Sequence, residues 1–509
     1  MEELISTPLI SKFEVEAFRC FATKQALILA EPAQGKLGSG ITYVVGENNC
    51  GKTSLLEGMK YSLYNINRTA LRSSDVRSLA ISFTYFDKDT NVLSRLILMR
   101  PGSTKLKEDE TATWSQTRLT LDNEPIFIPS RRQWSPMVNN DLSLDSVRAQ
   151  LHNQNVALRQ HYEGYADSQM AEYFNAIESN EENYQRFIEL MRRVFPDFQS
   201  FTIEVEDSAY ITYEMRDGSR HRADFLGDGV VSVMRIIALF IVYPKRLVVI
   251  DEPELSLHPN AIKRLNQVIA ERAQEQQIVL ATHSPLLISW EYIKNGAKLN
   301  HIVHKNGCSK IHTLQDISAY KSLVNSGNWK QPYVMDVVSK EIFFSDNILF
   351  TEGQEDVGLL NREEKLNKNI HLFGYGARGY NNFPFSLALA RDLGLEKAGV
   401  IIDGGEKESK VAEELRKEYP DYLIVQWEKT DIRDKPGHCP LTDDGQPDTS
   451  KLVIAKEGYY DSNGKKKKDI ESSDYYKKID EINKYFKTSQ SNHRSTNNVR
   501  SSDVHTTLL

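Results

Sequence analysis

The sequence predicts an α/β protein built on mostly parallel sheets, and two observations carry this prediction. Short apolar strands, Leu247–Ile250 and Ile278–Ala281, alternate with segments of helical spacing, which is typical of a parallel sheet covered on both faces. A second series of the same kind follows, with strands expected at Ile348–Thr351, Gly399–Ile402 and Tyr422–Val425. The chain is therefore expected to hold two α/β units in succession.

Length and composition limit the classes of protein that remain. A chain of 509 residues is too long for one ordinary domain, and 40% hydrophobic residues exclude wholesale disorder. The net charge of -7 excludes a chain coated in basic charge but leaves room for a local nucleic-acid groove. The 4 widely spaced cysteines argue against a zinc site or a disulfide framework. With no signal-peptide pattern and no apolar run of membrane-spanning length, we expect a soluble, cytoplasmic protein without membrane contact.

Residues 1–140 are expected to form the N-terminal part of the first unit. One helix is predicted at Ser54–Tyr64, directly after a glycine-containing turn. The extended segments predicted around it are Phe13–Phe18, Gln25–Leu29, Ile41–Val45, Ile81–Tyr85, Leu93–Met99, Trp114–Leu121 and Pro125–Ile128.

A phosphate-binding loop is predicted at GENNCGKT, residues Gly46–Thr53, between the apolar strand ITYVV and a helix. Its glycines let backbone N–H groups and the helix N-terminus face a phosphate. Lys52 would place a positive charge at the outer phosphates of ATP, and Thr53 would offer its hydroxyl to Mg²⁺. The predicted nucleotide contacts are Gly46, Glu47, Asn48, Asn49, Cys50, Gly51, Lys52, Thr53 and Ser54.

Three further segments extend this nucleotide site. In LVVIDEPE, Asp251 emerges at the carboxyl end of an apolar strand, where it could hold Mg²⁺, and Glu252 could orient or deprotonate the attacking water. In ATHSPLLI, His283 follows the next strand and could sense the γ-phosphate. In FLGDGVVS, the turn Gly227, Asp228 and Gly229 could offer amides to a phosphate at a helix start.

The remaining segments complete the predicted domain organisation. Residues 141–200 are predicted to form two or three helices inserted into the ATPase. The sequence favours helices that only pack on their host over an arm for dimerisation or partner binding. Residues 201–335 would complete the ATPase, with a helix at Val230–Val242 and strands at Phe201–Val205 and Tyr210–Met215. Residues 336–487 would form the second unit, and 488–509, rich in Ser, Thr and Asn, a disordered tail.

Acidic residues end two neighbouring strands of the second unit. Glu352 and Asp356 follow the first strand in TEGQEDVG, and Asp403 ends the next one in GVIIDGGE. A parallel sheet brings such strand ends to one edge, so these carboxylates are expected to cluster. Hard oxygen ligands of this kind suit Mg²⁺ or Mn²⁺ and phosphodiester chemistry.

Several of these segments resemble the ABC-type P-loop ATPases of the structural-maintenance, RecF and OLD (overcoming lysogenization defect) groups. ISKFEVEAFRCF resembles their opening strand, ELSLHP (Glu254–Pro259) the stretch after the magnesium-binding strand, and FIPSRR (Phe127–Arg132) the segment before their helical insert. The resemblance implies that two protomers sandwich ATP, with Gly227–Gly229 of one facing the phosphate loop of the other. A homodimer or a higher even-numbered oligomer is therefore expected. Gly227 stands where these families carry a signature serine.

The second unit resembles the Rossmann-like Toprim domain of topoisomerases, primases and OLD-family nucleases, because Glu-Gly is followed by Asp beyond a second strand. An ABC-type ATPase with a helical insert, followed by Toprim, is the OLD arrangement. The resemblance implies an ATP-dependent and metal-dependent DNA endonuclease, with Glu352 and Asp403 at the metal and an assisting lysine at Lys456 or, next, Lys435. The third position of the family's Asp-x-Asp is Gly405 here, so either Glu406 substitutes for the missing acid or one metal ion binds weakly.

The same resemblance suggests partners and leaves alternatives. It implies a role in defence against phage, with DNA as substrate, either alone or with a retron reverse transcriptase and its DNA–RNA hybrid. A second hypothesis is an ATP-binding, DNA-sensing clamp or scaffold whose Toprim domain is degenerate at Gly405. A third, a RecF-like repair ATPase, is disfavoured because such proteins lack an appended Toprim domain.

Overall fold

The structure, a computed structural model, divides into two compact units: Met1–Lys330 with Asp392–Gly394, and Gln331–Arg391 with Leu395–Leu509. It describes residues 9–16, 18–60, 79–87, 91–99, 107–108, 125–130, 137–139, 168–205, 208–223, 228–244, 246–314, 338–374, 376–377, 379–435, 437, 439–442, 444–448, 450 and 456–487. The expected strand at Trp114–Leu121, the glycine Gly227 and the expected tail at 488–509 lie outside these residues.

The first unit combines three sheets with helices on a P-loop framework. Its strands are β1 (Leu9–Glu16), β2 (Gln25–Ile28), β3 (Ile41–Val45), β4 (Leu79–Asp87), β5 (Asn91–Met99), β6 (Lys107–Glu108), β7 (Ile126–Ile128), β8 (Met137–Asn139), β9 (Phe198–Val205), β10 (Ser208–Met215), β11 (Arg220–Arg222), β12 (Val248–Asp251), β13 (Ile278–Ala281), β14 (Lys298–Lys305) and β15 (Cys308–Thr313). Its described helices are α1 (Lys52–Lys60), α2 (Ser168–Glu178), α3 (Glu181–Val194), α4 (Asp228–Val242), α5 (Pro259–Arg272) and α6 (Trp290–Asn295). Among the helices of the described ranges, none has both the length and the apolar character needed to cross a bilayer.

The central sheet of this unit places the predicted nucleotide motifs at one edge. Its order is β15-β14-β3-β13-β12-β7, and the pairs from β14 through β7 are parallel, whereas β14 and β15 form an antiparallel hairpin. Every residue of β3, β12 and β13 is buried, as their continuous apolar sequences predict. Because β13 alone separates β3 from β12, the residues that follow Val45 and Ile250 emerge close together.

Two antiparallel sheets accompany the central one. The first has the order β2-β1-β4-β5-β6, and the second the order β11-β10-β8 with β9 also paired to β10. The apolar residues of α1, among them Leu55 and Leu56, join a buried cluster with Phe13, Phe18 and Phe21. Each fully buried side chain of this size contributes about 1.5–3 kcal/mol relative to exposure, so this packing fixes the helix that follows the phosphate loop.

Helix α3 lies in the segment where the sequence predicts an inserted helical arm. Its N-cap Asn180 accepts a hydrogen bond from the Asn183 N–H at 3.0 Å, and acidic residues occupy its first turn. Its apolar face, which includes Phe187 and Met191, is buried, and the helix packs against α4 and α5 of the same unit. The apolar face of α3 is therefore covered by its own host.

The second unit is a four-stranded parallel sheet with helices. Its strands are β16 (Asn347–Phe350), β17 (His371–Leu372), β18 (Lys397–Ile402) and β19 (Leu423–Gln426), in the order β17-β16-β18-β19. Its helices are α7 (Gln354–Asn361), α8 (Phe383–Asp392), α9 (Glu406–Glu418) and α10 (Tyr475–Lys487), with short 3₁₀ turns at Val338–Phe344, Tyr380–Asn382 and Ile470–Ser472. The Trp427 ring stacks on Tyr475 at 5.3 Å in the core that holds α10 to this sheet.

Candidate nucleotide site and candidate metal centre

The loop Gly46–Thr53 joins β3 to α1, and neighbouring segments pack closely against it. Gly46 and Gly51 have φ values of 143° and 108°, which side chains rarely adopt. A Cβ at Gly46 would also meet the Ile302 carbonyl oxygen, and one at Gly51 would meet the Cys20 sulfur. The Ser309 hydroxyl donates a hydrogen bond to the Cys50 carbonyl at 2.6 Å. These contacts fix the shape of the loop, within which the Cys50 N–H donates to the Glu47 carbonyl at 3.4 Å.

Lys52 is folded into this loop. Its Nζ donates hydrogen bonds to the carbonyl oxygens of Gly46 at 3.0 Å and Glu47 at 2.7 Å. Lys52 is only 5% exposed, and this burial lowers the pKa of its ammonium group. A nucleotide phosphate could replace these carbonyl oxygens as the partner of the charge.

Thr53 and Asp251 meet across the edge of the central sheet. The Thr53 hydroxyl donates a hydrogen bond to Asp251 Oδ2 at 2.9 Å, and Asp251 is 1% exposed at the end of β12. A hydroxyl and a carboxylate at this spacing could share a Mg²⁺ ion beside a bound nucleotide, directly or through water.

Glu252 and His283 face each other beside this pair. Glu252 has a positive φ of 49°, and its N–H donates to the Ala281 carbonyl at 2.9 Å. Such a left-handed residue costs about 1–3 kcal/mol and is typical of functional sites. His283 Nε2 lies 3.6 Å from Glu252 Oε1, and burial together with the charge of Lys52 lowers the pKa of His283. The imidazole is therefore neutral at neutral pH.

The other residues predicted to contact the nucleotide have varied surroundings. Asn48 and Asn49 are exposed, and the Ser54 hydroxyl accepts a hydrogen bond from Arg19 Nη1 at 3.5 Å. Asp228 is the first residue of α4, and Gly229 is buried, with no room for a Cβ against the Ser256 carbonyl oxygen. Gly227 lies outside the described residues.

Two residues of this region were not singled out from the sequence. Arg19 pairs with Glu57 of α1 and lies over the Phe18 ring, so it fixes the opening strand segment to the helix after the phosphate loop. Glu254 turns a buried carboxylate toward Thr282 and His283. The one sequence signal for Glu254 is a third acid two positions after Glu252.

In the second unit, β16 and β18 pair in parallel and end side by side. Glu352 follows β16 and Asp403 follows β18, and the Asp403 N–H donates a hydrogen bond to Glu352 Oε1 at 3.0 Å. Asp356, in the first turn of α7, accepts from the Gly353 N–H at 2.8 Å. The structure therefore brings Glu352, Asp356 and Asp403 to one edge, where the sequence places them.

A fourth acid, Asp431, joins this edge from the irregular segment after β19. It is 2% exposed, and sequence reasoning did not select it, because it follows no apolar strand directly. Burial, then the charges of Glu352, Asp356 and Asp431, raise the pKa of Asp403 to about 8. Burial, followed by Asp431 and Glu352, raises the pKa of Asp356 to about 6. The four carboxyl groups therefore repel one another, and a nearby cation would stabilise their ionised forms.

Two lysines lie close enough to these acids to offset part of their negative charge. Lys456 Nζ lies 3.9 Å from Asp403 Oδ2 and 3.8 Å from Asp431 Oδ2, and Lys435 Nζ lies 2.5 Å from Asp431 Oδ2. The Lys435 N–H also donates to the Lys456 carbonyl at 2.9 Å, so one backbone contact brings both lysines to the acids. Within the described ranges, no three His, Cys, Asp or Glu side chains stand in the arrangement that would hold a metal ion.

Glycines shape the loop after β18. A Cβ at Gly404 would run into the carbonyl oxygens of Glu428 and Lys429, so this position requires glycine. At Gly405 the space is taken by the Glu408 carboxylate, which a Cβ would meet. Glu406, the substitute expected from the sequence, is exposed at the start of α9. Glu408 rather than Glu406 also raises the pKa of Glu352, after burial as the main cause.

Fold and residues together define a class of protein: a P-loop ATPase domain followed by a second parallel α/β unit with an acidic edge. Residues 41–289 match the family model described as "AAA domain, putative AbiEii toxin, Type IV TA system". This match and the order of the central sheet confirm the P-loop ATPase fold expected from the sequence.

The relatives found in comparisons with known proteins are nucleases. The chain is 28% identical to Endonuclease GajA of Bacillus cereus (strain HuB5-5), over 40% of this chain and 34% of that protein. It is 27% identical to Old nuclease of Escherichia phage P2, over 32% of this chain and 28% of that protein. The resemblance to OLD-family nucleases is thereby confirmed. The alignments span about a third of each relative's length, 34% and 28%.

Among solved structures, the chain is similar to the SMC head domain from Thermotoga maritima, with 12% identity, a TM-score of 0.37, and coverage of 60% of this chain and 99% of that one. It is also similar to the Smc head domain derived from Pyrococcus furiosus, with 15% identity, a TM-score of 0.42, and coverage of 63% and 100%. At these TM-scores the fold assignment rests on the sheet order and the family match.

Proposed function

We propose that the protein is an ATP-dependent, metal-dependent DNA nuclease, in which an ATPase domain is joined to a Toprim domain. The observation that carries the proposal is a group of four carboxyls, three buried and Glu352 half-buried, with two lysines at the edge formed by β16 and β18. The same chain also holds a complete phosphate loop. The similarity to proteins named as nucleases supports the same conclusion.

In the ATPase half, each predicted residue would have a distinct task. Lys52 would leave the loop carbonyls to hold the outer phosphates, and Thr53 with Asp251 would hold Mg²⁺. Glu252 would orient or deprotonate the attacking water, and neutral His283, 3.6 Å from it, would contact the γ-phosphate. The contacts of Thr53 and His283 support these roles because they converge on one edge of the sheet.

In the second half, the acids would hold Mg²⁺ or Mn²⁺. The donors are chemically suited to such an ion because carboxylate oxygens are hard ligands, and burial followed by repulsion from the neighbouring acids raises the pKa values of Asp356 and Asp403. Among the described residues no three of these acids stand in ligand geometry, so the side chains would have to move to close around the ion. A bound divalent ion would activate water and neutralise charge on the scissile phosphate. Glu352 and Asp431 complete the set, and Lys456 could turn from its acids toward a DNA phosphate.

We further propose that the protein works as a homodimer or higher even-numbered oligomer through its ATPase half. The start of α4 is fixed against the turn after β12 by the contact of Gly229 with Ser256, and it would offer its amides to a nucleotide held by a second copy. A role in phage defence, with or without a retron reverse transcriptase and its DNA–RNA hybrid, stays a prediction from the resemblance.

A second candidate function is an ATP-binding, DNA-sensing clamp with a degenerate nuclease unit. Two observations favour it: Gly405 supplies no carboxylate, and no three of the described acids stand in ligand geometry. Plasmid DNA incubated with the protein and Mg²⁺ or Mn²⁺, with and without ATP, separates the two. Metal-dependent cleavage supports the nuclease, whereas ATP-dependent binding without cleavage under every condition supports the clamp.

A further inference from the structure

The side chain of Glu254 is bound to the loop that carries His283. Its Oε1 accepts two hydrogen bonds of 2.7 Å, from the Thr282 hydroxyl and from the His283 N–H. Its other oxygen, Oε2, is buried and has no hydrogen-bond partner among the described residues. A carboxylate in this position is directed into the protein rather than toward solvent. The hydrogen bonds of the Glu254 side chain therefore hold the loop that carries His283.

The loop that Glu254 holds is built so that it can set the position of His283. The Thr282 hydroxyl donates to Glu254 and accepts from the Ser284 N–H at 2.9 Å, and the Thr282 N–H donates to the Val44 carbonyl at 3.2 Å. The residues on both sides of His283 are thus fixed through one hydroxyl and one carboxylate.

The same glutamate belongs to the turn that carries Glu252. In this turn the Leu257 N–H donates to the Glu254 carbonyl and the Leu255 N–H to the Glu252 carbonyl, both at 3.1 Å. Glu252 itself is held at a φ of 49°. One side chain therefore ties together the two segments whose side chains, Glu252 and His283, approach to 3.6 Å.

We propose that Glu254 is a positioning residue for ATP hydrolysis, which acts by holding His283 at the γ-phosphate end of the site. The proposal rests on the proposed ATPase function. It assigns Glu254 no contact with nucleotide or metal. Loss of the carboxylate should slow the chemical step and spare nucleotide binding, because the phosphate loop and Thr53 lie on other segments.

The test compares Glu254→Ala, which removes the acceptor, with Glu254→Gln, which keeps an oxygen at Oε1 and the same size. In the full-length protein we expect Glu254→Ala to lower kcat for ATP about 10-fold or more, with the Kd of a fluorescent ATP analogue changed less than about 3-fold. Glu254→Gln should recover most of the loss. Wild-type turnover by Glu254→Ala, or an equal loss in both variants, would overturn the proposal.

A double-mutant cycle and hydrogen exchange separate positioning from folding. If Glu254 acts through His283, adding Glu254→Ala to His283→Ala should cost little more, whereas fully multiplied losses would contradict the proposal. Amide exchange at His283 should be at least about 10-fold faster in Glu254→Ala than in wild type and unchanged in the exposed control Glu189→Ala. Unchanged exchange in Glu254→Ala overturns the proposal whatever the hydrolysis rates.

Two further results need separate treatment: a wild type that does not hydrolyse ATP, and a Glu254→Ala variant that does not fold. Absence of ATP hydrolysis in wild type contradicts the ATPase function, while the exchange measurement still decides the role of Glu254. If Glu254→Ala does not fold, Thr282→Val replaces it, since valine removes the hydroxyl that donates to Glu254 at 2.7 Å. Thr282→Val should then lower kcat and speed exchange at His283, and wild-type values for both would overturn the proposal.

Discussion

Replacing Asp403 with asparagine is expected to stabilise the metal-free protein at alkaline pH. Burial and neighbouring acids raise the pKa of Asp403 from 3.8 to about 8. The folded state therefore keeps this proton up to about pH 8, while the unfolded chain releases it near its ordinary pKa. Wild-type stability should fall as pH rises through this window, and the neutral asparagine escapes that loss.

The size of the effect follows from the same shift. At about 1.36 kcal/mol per pKa unit, the rise corresponds to an upper value of about 6 kcal/mol at pH 8. Because Glu352 and Asp356 share the repulsion and titrate with Asp403, we expect a gain of about 2–3 kcal/mol. For a unit of this size, that shifts the melting temperature by about 4–12 °C.

Scanning calorimetry of the full-length protein in a metal chelator, at about pH 5 and about pH 8, measures this gain. The increase in melting temperature of Asp403→Asn over wild type should be clearly larger at the higher pH, and the exposed control Asp480→Asn should show no such difference. Added Mn²⁺ should then stabilise wild type more than Asp403→Asn. A gain that is equal at both pH values, or a wild type that becomes more stable from pH 5 to 8, would refute the reasoning.

Three further changes test other parts of the account. Lys52→Ala should weaken ATP binding about 100-fold or more in a fluorescent-nucleotide titration, because the loop loses its buried cation; near-wild-type affinity would contradict this. Glu252→Gln should bind ATP but hydrolyse it about 100-fold more slowly, and equal turnover would remove its assigned role. Gly404→Ala should lower the melting temperature of the second unit by several degrees, since its methyl group would meet the carbonyl oxygens of Glu428 and Lys429, and an unchanged melting curve would count against that clash.

The placement of the candidate nucleotide-site residues could be predicted because its determinants are local in sequence. The strand, loop and helix around Lys52 are contiguous in sequence. The apolar strand before Asp251 indicates a buried position in a parallel sheet. The predicted strand Ile278–Ala281 has the observed bounds, and the helix expected at Ser54–Tyr64 begins at Lys52 and is described as far as Lys60, with residues 61–64 outside the described ranges. A shift of two residues at a helix start is ordinary, since assignments of helix ends differ by one or two residues.

Other features could not be predicted because tertiary contacts create them. Residues 299–303 of the strand Lys298–Lys305 are buried despite the polar side chains among them: Asn300 donates to the Ile28 carbonyl at 3.2 Å and accepts from the Thr313 hydroxyl at 2.7 Å. Such satisfied polar groups interrupt the apolar pattern that sequence reasoning relies on. Asp431 reaches the acidic edge from an irregular segment, which no periodicity marks.

DNA cleavage by a matched set of variants tests the central claim most directly. Wild type, Glu352→Ala, Lys52→Ala and the exposed control Glu364→Ala would be incubated with plasmid DNA and Mn²⁺ or Mg²⁺, and ATP hydrolysis would be measured in the same samples. We expect Glu352→Ala to lose cleavage, because the ion loses a ligand, and to keep the ATP hydrolysis of wild type and of Glu364→Ala. Full cleavage by Glu352→Ala, or loss of both activities together in a folded protein, would contradict a separate metal-dependent nuclease site.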